Sequence, residues 1–152
     1  VMYSDKGAVP EGEYLLPIGV ADIKRKGTDV TVISFGKMMK VALEAAEEMA
    51  KQGVSCEVID LRTVRPIDYA TCVESLKKTN RVVVVEEANP IAGISSELAY
   101  HFQRHAFDYL DSPVIRVNSM DIPLSYAPSY IDVTIPNVSR TVEAIKKVMY
   151  KS

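Results

Sequence analysis

Four consecutive valines, Val82 to Val85, constrain this chain more than any other stretch. β-branched side chains favour extended backbone, and successive side chains of a strand point to opposite faces. An unbroken apolar run therefore describes a strand covered on both faces, the environment of a parallel strand between two layers of helices. Residues 81–87, ending in Glu86-Glu87, read as such a strand, placed centrally. The chain on either side repeats the pattern. Residues 29–35 form a β-branched run stopped by Gly36, after which Met38, Val41, Ala42, Ala45, Ala46 and Met49 recur at helical spacing up to Gly53, a C-terminal cap. Residues 56–61 make a second strand, and Asp68 is an N-cap for a helix reaching about Thr79. After the valine strand, Ser95 or Ser96 is placed to cap a helix running to about Asp108, with Leu98, Phe102 and Ala106 on one stripe. Residues 113–117 read as a fourth strand and 118–137 as loop. A last helix from about Ser139 turns Val142, Ile145, Val148 and Met149 inward. Alternating strands and helices predict an α/β fold: a three-layer, doubly wound, mostly parallel sheet with right-handed crossovers.

Residues 1–17 carry Gly7, Pro10, Gly12 and Pro17 without a sustained period, so they read as an extended arm before a domain at 18–152. The chain starts at Val1, which suggests a piece of a longer protein. With 18 Lys and Arg against 20 Asp and Glu, it has no global attraction for nucleic acid or an acidic membrane. It contains no apolar run long enough to span a bilayer and no export signal pattern. Cys56 and Cys72 each fall within an apolar run, so both read as buried thiols of a reducing compartment, the bacterial cytoplasm before a mitochondrial matrix or plastid.

Open α/β sheets bind ligands at the carboxyl ends of their strands. Ser34-Phe35-Gly36-Lys37 lacks the glycine spacing of a phosphate or dinucleotide loop and reads as a structural turn. Arg62 and Arg65, among the carboxylates of residues 60–68, suit either an anion or salt bridges that anchor the loop. Glu86 and Glu87 are adjacent on a strand and so face opposite ways. They read as partners of loop amides or of an interface arginine, not as an acid/base dyad. His101 and His105 share a helix face without a visible third metal ligand, which favours a solvated face. No nucleophile, metal set or cofactor-binding motif emerges, and the residues alone describe a binding or assembly domain.

Several segments in order resemble the C-terminal, transketolase-type domain of the β subunits of thiamine diphosphate-dependent 2-oxoacid dehydrogenase E1 enzymes, with a pyruvate dehydrogenase flavour. They are residues 9–14, 17–19, 42–48, 57–68, 82–87, 106–114, 126–128 and 146–149. The resemblance implies a parent enzyme that decarboxylates a 2-oxoacid on thiamine diphosphate with magnesium and acylates the lipoyl group of an E2 acyltransferase. It places cofactor and catalytic histidines outside this stretch, so that this chain binds no cofactor. It implies as partners an E1 α subunit or domain, a second E1 β, and the peripheral subunit-binding domain of E2. That module meets an acidic residue at the position of Asp111 and the terminal carboxylate, here of Ser152. A basic module needs an exposed carboxylate with negative neighbours, and Asp108 and Asp111 suit it. Asp111 also suits a turn cap with Ser112-Pro113. Two departures from the pattern stand out: Lys151-Ser152, which adds a residue and a positive charge at the end, and Ala88-Asn89. The competing readings are a branched-chain E1 β, a transketolase or deoxyxylulose-phosphate synthase, and a regulatory anion-binding module using Arg62 and Arg65.

Overall fold

The computed structural model describes residues 7–124 and 126–151. Its elements run β1 (Asp22–Arg25), β2 (Val30–Ser34), α1 (Met38–Lys51), β3 (Cys56–Asp60), α2 (Tyr69–Thr79), β4 (Val82–Val85), α3 (Ile94–His105), a 3-10 turn (Phe107–Tyr109), β5 (Ile115–Val117), α4 (Pro128–Thr134) and α5 (Val138–Val148). One sheet carries the strands in the order β1-β3-β2-β4-β5. β2 to β5 are mutually parallel, and β1 runs antiparallel along the outer side of β3.

The valine strand does what its composition requires. All four valines are fully buried. Val83 and Val85 pack with α1 and α5 on one face, while Val82 and Val84 pack with α2 and α3 on the other. At roughly 1.5–3 kcal/mol per buried side chain, this short segment outweighs any single polar contact in the fold. β4 lies inside the sheet, paired to β2 and β5, although the middle place is taken by β2. Most of the α1 stripe and Ile145 and Val148 of α5 are buried as their spacing predicts, with Val41, Val142 and Met149 partly buried beside them; Gly53 has the positive φ of a helix-ending glycine, and the Asp68 carboxylate accepts the Thr71 amide proton at 3.0 Å.

Three elements differ from the sequence reading. β1 has the half-exposed, charged sequence of an edge strand and lacks a β-branched run, so no strand was expected there. α4 sits in the stretch expected to be loop, with Pro128 in its first turn, where a missing N–H costs nothing. α3 starts at Ile94 after an extended Gly93, so neither Ser95 nor Ser96 caps it, and it ends at His105, short of Asp108.

A buried polar cluster ties β3 to α2. Glu57, 1% exposed, accepts a hydrogen bond from Ser75 Oγ at 2.6 Å, one from the Gly27 amide at 3.4 Å, and an ion pair from Lys78. Thr31 Oγ1 lies 2.6 Å from Ser75 Oγ and 2.7 Å from Thr79 Oγ1, which closes the network. Burial pushes the Glu57 carboxyl pKa up, but the bonds from Lys78, Ser75 and Gly27 together outweigh it and hold the group below its ordinary value of 4.5. A carboxyl lowered by folding stabilises the native state above its unfolded pKa, and that contribution disappears as pH falls through the folded value. Glu57→Gln is therefore expected to cost about 2 kcal/mol at pH 7 and progressively less in acid. Urea midpoints measured from pH 6 down to pH 3 check this. Parallel pH profiles for the two proteins would remove Glu57 from the account.

Candidate functional site

At the carboxyl ends of the parallel strands, the chain leaves β4 through Glu86 and Glu87 and re-enters regular structure at α3. Glu86 is 4% exposed, and its carboxylate spans the start of that helix. Oε1 accepts the Ile94 amide at 2.8 Å, and Oε2 accepts the Ser95 amide at 2.9 Å and Asn118 Nδ2 at 3.2 Å. A helix N-terminus is a ready anion site. Here the protein's own carboxylate fills it, beside the switch point between the parallel neighbours β2 and β4, from which the chain goes on to opposite sides of the sheet. Glu87 is exposed where Glu86 is buried, and Glu86 binds amides as one of its two readings expects.

The two arginines of the loop after β3 part company. Arg62, with φ 56°, sends Nη2 to Asp22 Oδ2 at 2.6 Å and fastens the loop to the edge strand. A hydrogen bond from Lys24 is the largest influence on the Asp22 carboxyl. With the charges of Lys24 and Arg62 it holds that group below the usual carboxylate range. Arg65 is exposed, without an ion pair among the described residues. It lines a cleft of about 890 Å³ with Val64, Tyr69, Ile94 and Glu97.

Asp111 lies elsewhere, after the 3-10 turn and before β5. Its side chain is 55% exposed and its Oδ2 is 3.3 Å from Arg81 Nη2. Its backbone is held twice: its amide donates to Asn80 O at 2.9 Å, and its carbonyl accepts from Tyr150 Oη at 3.0 Å. Arg81 Nε in turn donates to Val148 O at 3.1 Å, binding the end of α5 to the same corner. The carboxylate makes no bond to Ser112 or Pro113, so the turn-cap reading gives way to the ion pair with Arg81. Beside it opens a cleft of about 490 Å³ walled by Ala99, Phe107, Leu110, Val114 and Tyr150. Phe107 and Tyr150 are 65% and 72% exposed, and Asp108 is exposed next to Phe107 in sequence. Arg81, Phe107 and Tyr150 were not anticipated, because they come from three separate stretches of chain. Ser152, the other expected contact, lies outside the described residues.

Burial pushes the Cys56 thiol up to about 11 and the Cys72 thiol up to about 12; both are free and neither is a nucleophile at neutral pH. Burial, then the charge of His105, lowers the pKa of His101, whose ring stacks on Tyr69 at 3.8 Å. Among the described residues no helix is long and apolar enough to cross a membrane, and no three acidic, histidine or cysteine side chains converge as a metal set.

Residues 19–141 match the family model described as "Transketolase, C-terminal domain". Among curated proteins, the chain is 43% identical to the pyruvate dehydrogenase E1 component subunit beta of Rhizobium meliloti, over 99% of this chain and 33% of that protein. It is 45% identical to the mitochondrial counterpart of Dictyostelium discoideum, over 92% of this chain and 39% of that one. With the counterpart of Rickettsia felis the identity is 42%, over 100% of this chain and 47% of the relative. The chain thus spans a third to a half of the relatives it matches. Among solved structures, a split-gene transketolase in an inactive beta4 tetramer aligns with a TM-score of 0.80 and 28% identity, over 89% of this chain and 44% of that one.

Proposed function

The chain belongs to the transketolase C-terminal domain family, and on that premise we propose that it is the assembly and partner-docking domain of a pyruvate dehydrogenase E1 β subunit. The parent enzyme in this reading decarboxylates pyruvate on thiamine diphosphate with magnesium and acetylates E2 lipoyl groups. The names of the curated relatives favour pyruvate over a branched-chain oxoacid. The residues described here do not fit the cofactor. The helix N-terminus best placed for a diphosphate is occupied by Glu86, and among the described residues no three-ligand cluster offers itself to magnesium. We therefore assign this domain no chemical step. Free, buried thiols suit a reducing interior, which we read as the bacterial cytoplasm.

The observation that carries docking is Asp111: a half-exposed carboxylate, fixed through its backbone, at the mouth of a cleft walled by exposed aromatic rings. That combination suits a basic module which also buries an apolar side chain, such as the subunit-binding domain of E2. An E1 α subunit and a second E1 β complete the proposed partners. Calorimetric titration of the E2 subunit-binding domain tests the assignment. Asp111→Lys is expected to weaken binding about a hundredfold, because truncating or reversing a desolvated charge contact costs about 2–5 kcal/mol. Unchanged affinity in that variant removes Asp111 from the interface. The competing anion-binding module loses half of its support, since Arg62 is engaged by Asp22 and only Arg65 is left to it.

A further inference from the structure

Helix α3 carries Glu97, His101 and His105 at intervals of four residues, hence along one face. The ring centres of His101 and His105 lie 4.5 Å apart, with their planes tilted by 41°. Neither imidazole has a hydrogen-bond partner among the described residues, so their ring nitrogens retain lone pairs that the fold does not use. His101 is held from the side. Tyr69 stacks on it at 3.8 Å and 14°, and the Tyr69 hydroxyl donates to Glu97 Oε1 at 3.1 Å, one turn earlier on the same helix. The stack fixes the plane of the His101 ring without engaging its nitrogens. We propose that His101 and His105 form a two-imidazole chelating site for a divalent late-transition metal of the nickel and copper class.

Ligand chemistry selects the class, because imidazole nitrogens suit late first-row metals and affinity rises toward nickel and copper. A metal lies about 2.1 Å from an imidazole nitrogen and so about 3.2 Å from that ring's centre. Two rings set at a right angle about one metal then have centres about 4.5 Å apart, whereas the tetrahedral angle favoured by zinc needs about 5.2 Å. The observed 4.5 Å brings the two rings within the range that one metal spans. No third acidic, histidine or cysteine side chain converges among the described residues, so the remaining coordination positions are open to water or a ligand. Magnesium and calcium, which prefer oxygen ligands, are expected not to bind the pair.

The experiment uses the untagged chain, titrated with nickel chloride by calorimetry and followed by thermal melting. One nickel per chain and a rise in melting temperature are expected, with no shift from magnesium chloride, because an ion that binds only the native state stabilises it. His105 is exposed, so His105→Ala leaves the core untouched; it is expected to weaken nickel binding by about tenfold or more and to abolish the melting shift. His101→Ala does the same, and its metal-free melt reports separately on the lost stacking with Tyr69. No nickel binding by the parent chain, or equally tight binding by His105→Ala, overturns the proposal. Neither result bears on docking at Asp111.

Discussion

Replacing Gly27 with alanine is expected to destabilise the chain by about 4 kcal/mol or more, a large share of the roughly 5–15 kcal/mol that holds an ordinary domain together. Gly27 is buried between β1 and β2, and its backbone lies against the first residues of β3. A Cβ placed there would stand 2.2 Å from the Cys56 carbonyl carbon and 2.3 Å from the Glu57 amide nitrogen. Backbone atoms cannot rotate away as a side chain does, so one of the two segments must move. Both are fastened. The Thr28 and Asp29 amides donate to Ser55 O at 3.1 and 2.9 Å, and Asp29 Oδ2 accepts the Ser55 amide at 2.7 Å. Any displacement also pulls Gly27 from Glu57 and opens the network through Ser75, Thr31 and Thr79. Gly53→Ala is the control. Gly53 has φ 75° but open space around its missing side chain, so it is expected to cost only about 1 kcal/mol, that of a left-handed conformation. Urea denaturation of both variants reads the difference. Similar losses at the two positions would mean that close approach at Gly27 matters no more than conformational freedom at Gly53.

That contrast marks how far the sequence could be read. Periodicity located β2 to β5, the four long helices and both faces of the valine strand, because burial is written into the spacing of apolar residues. What it could not show are contacts between residues far apart in sequence. Gly27 touching Cys56, Glu57 drawn inside by Ser75 and Lys78, and Arg81 meeting Asp111 thirty positions on are products of the fold, not of local pattern. β1 was missed for a related reason. An edge strand exposes half its side chains, so Asp22-Ile23-Lys24-Arg25 shows no more apolar character than a loop. At the site, the expected strand ends at Val85, before Glu86 and Glu87, so strand alternation does not govern the pair, and the helix that Glu86 caps could be identified only in three dimensions. Asp111 entered through resemblance, and its local sequence favoured a turn cap. Structure supplied the reason it stays half-exposed: its backbone is pinned by Asn80 and Tyr150, while Arg81 holds its carboxylate at the surface.

Glu86→Ala is expected to cost about 3 kcal/mol. A charged acceptor lost to two backbone N–H groups leaves both unsatisfied at a nearly buried helix start, each worth about 1–3 kcal/mol, and removes a negative charge from the positive end of the α3 dipole. Asn118 loses one acceptor as well, keeping Ser95 Oγ at 3.0 Å. The damage should be local: Ile94 and Ser95 amides exchange faster with solvent, while the β4 amides beneath them retain protection until global unfolding. Glu86→Gln should fall between, since its amide oxygen replaces one acceptor and its NH₂ group faces donors. Gly93 sharpens the test. A Cβ at that position would approach Glu86 Oε2 to 2.6 Å, so Gly93→Ala is costly because the carboxylate is there. In a double-mutant cycle the alanine at 93 is then expected to cost clearly less in the Glu86→Ala background than in the parent, with a coupling of about 1 kcal/mol or more. Additive losses would show that Gly93 answers to the Asn89 carbonyl, 3.3 Å from the same position, and that Glu86 does not shape the turn that starts α3.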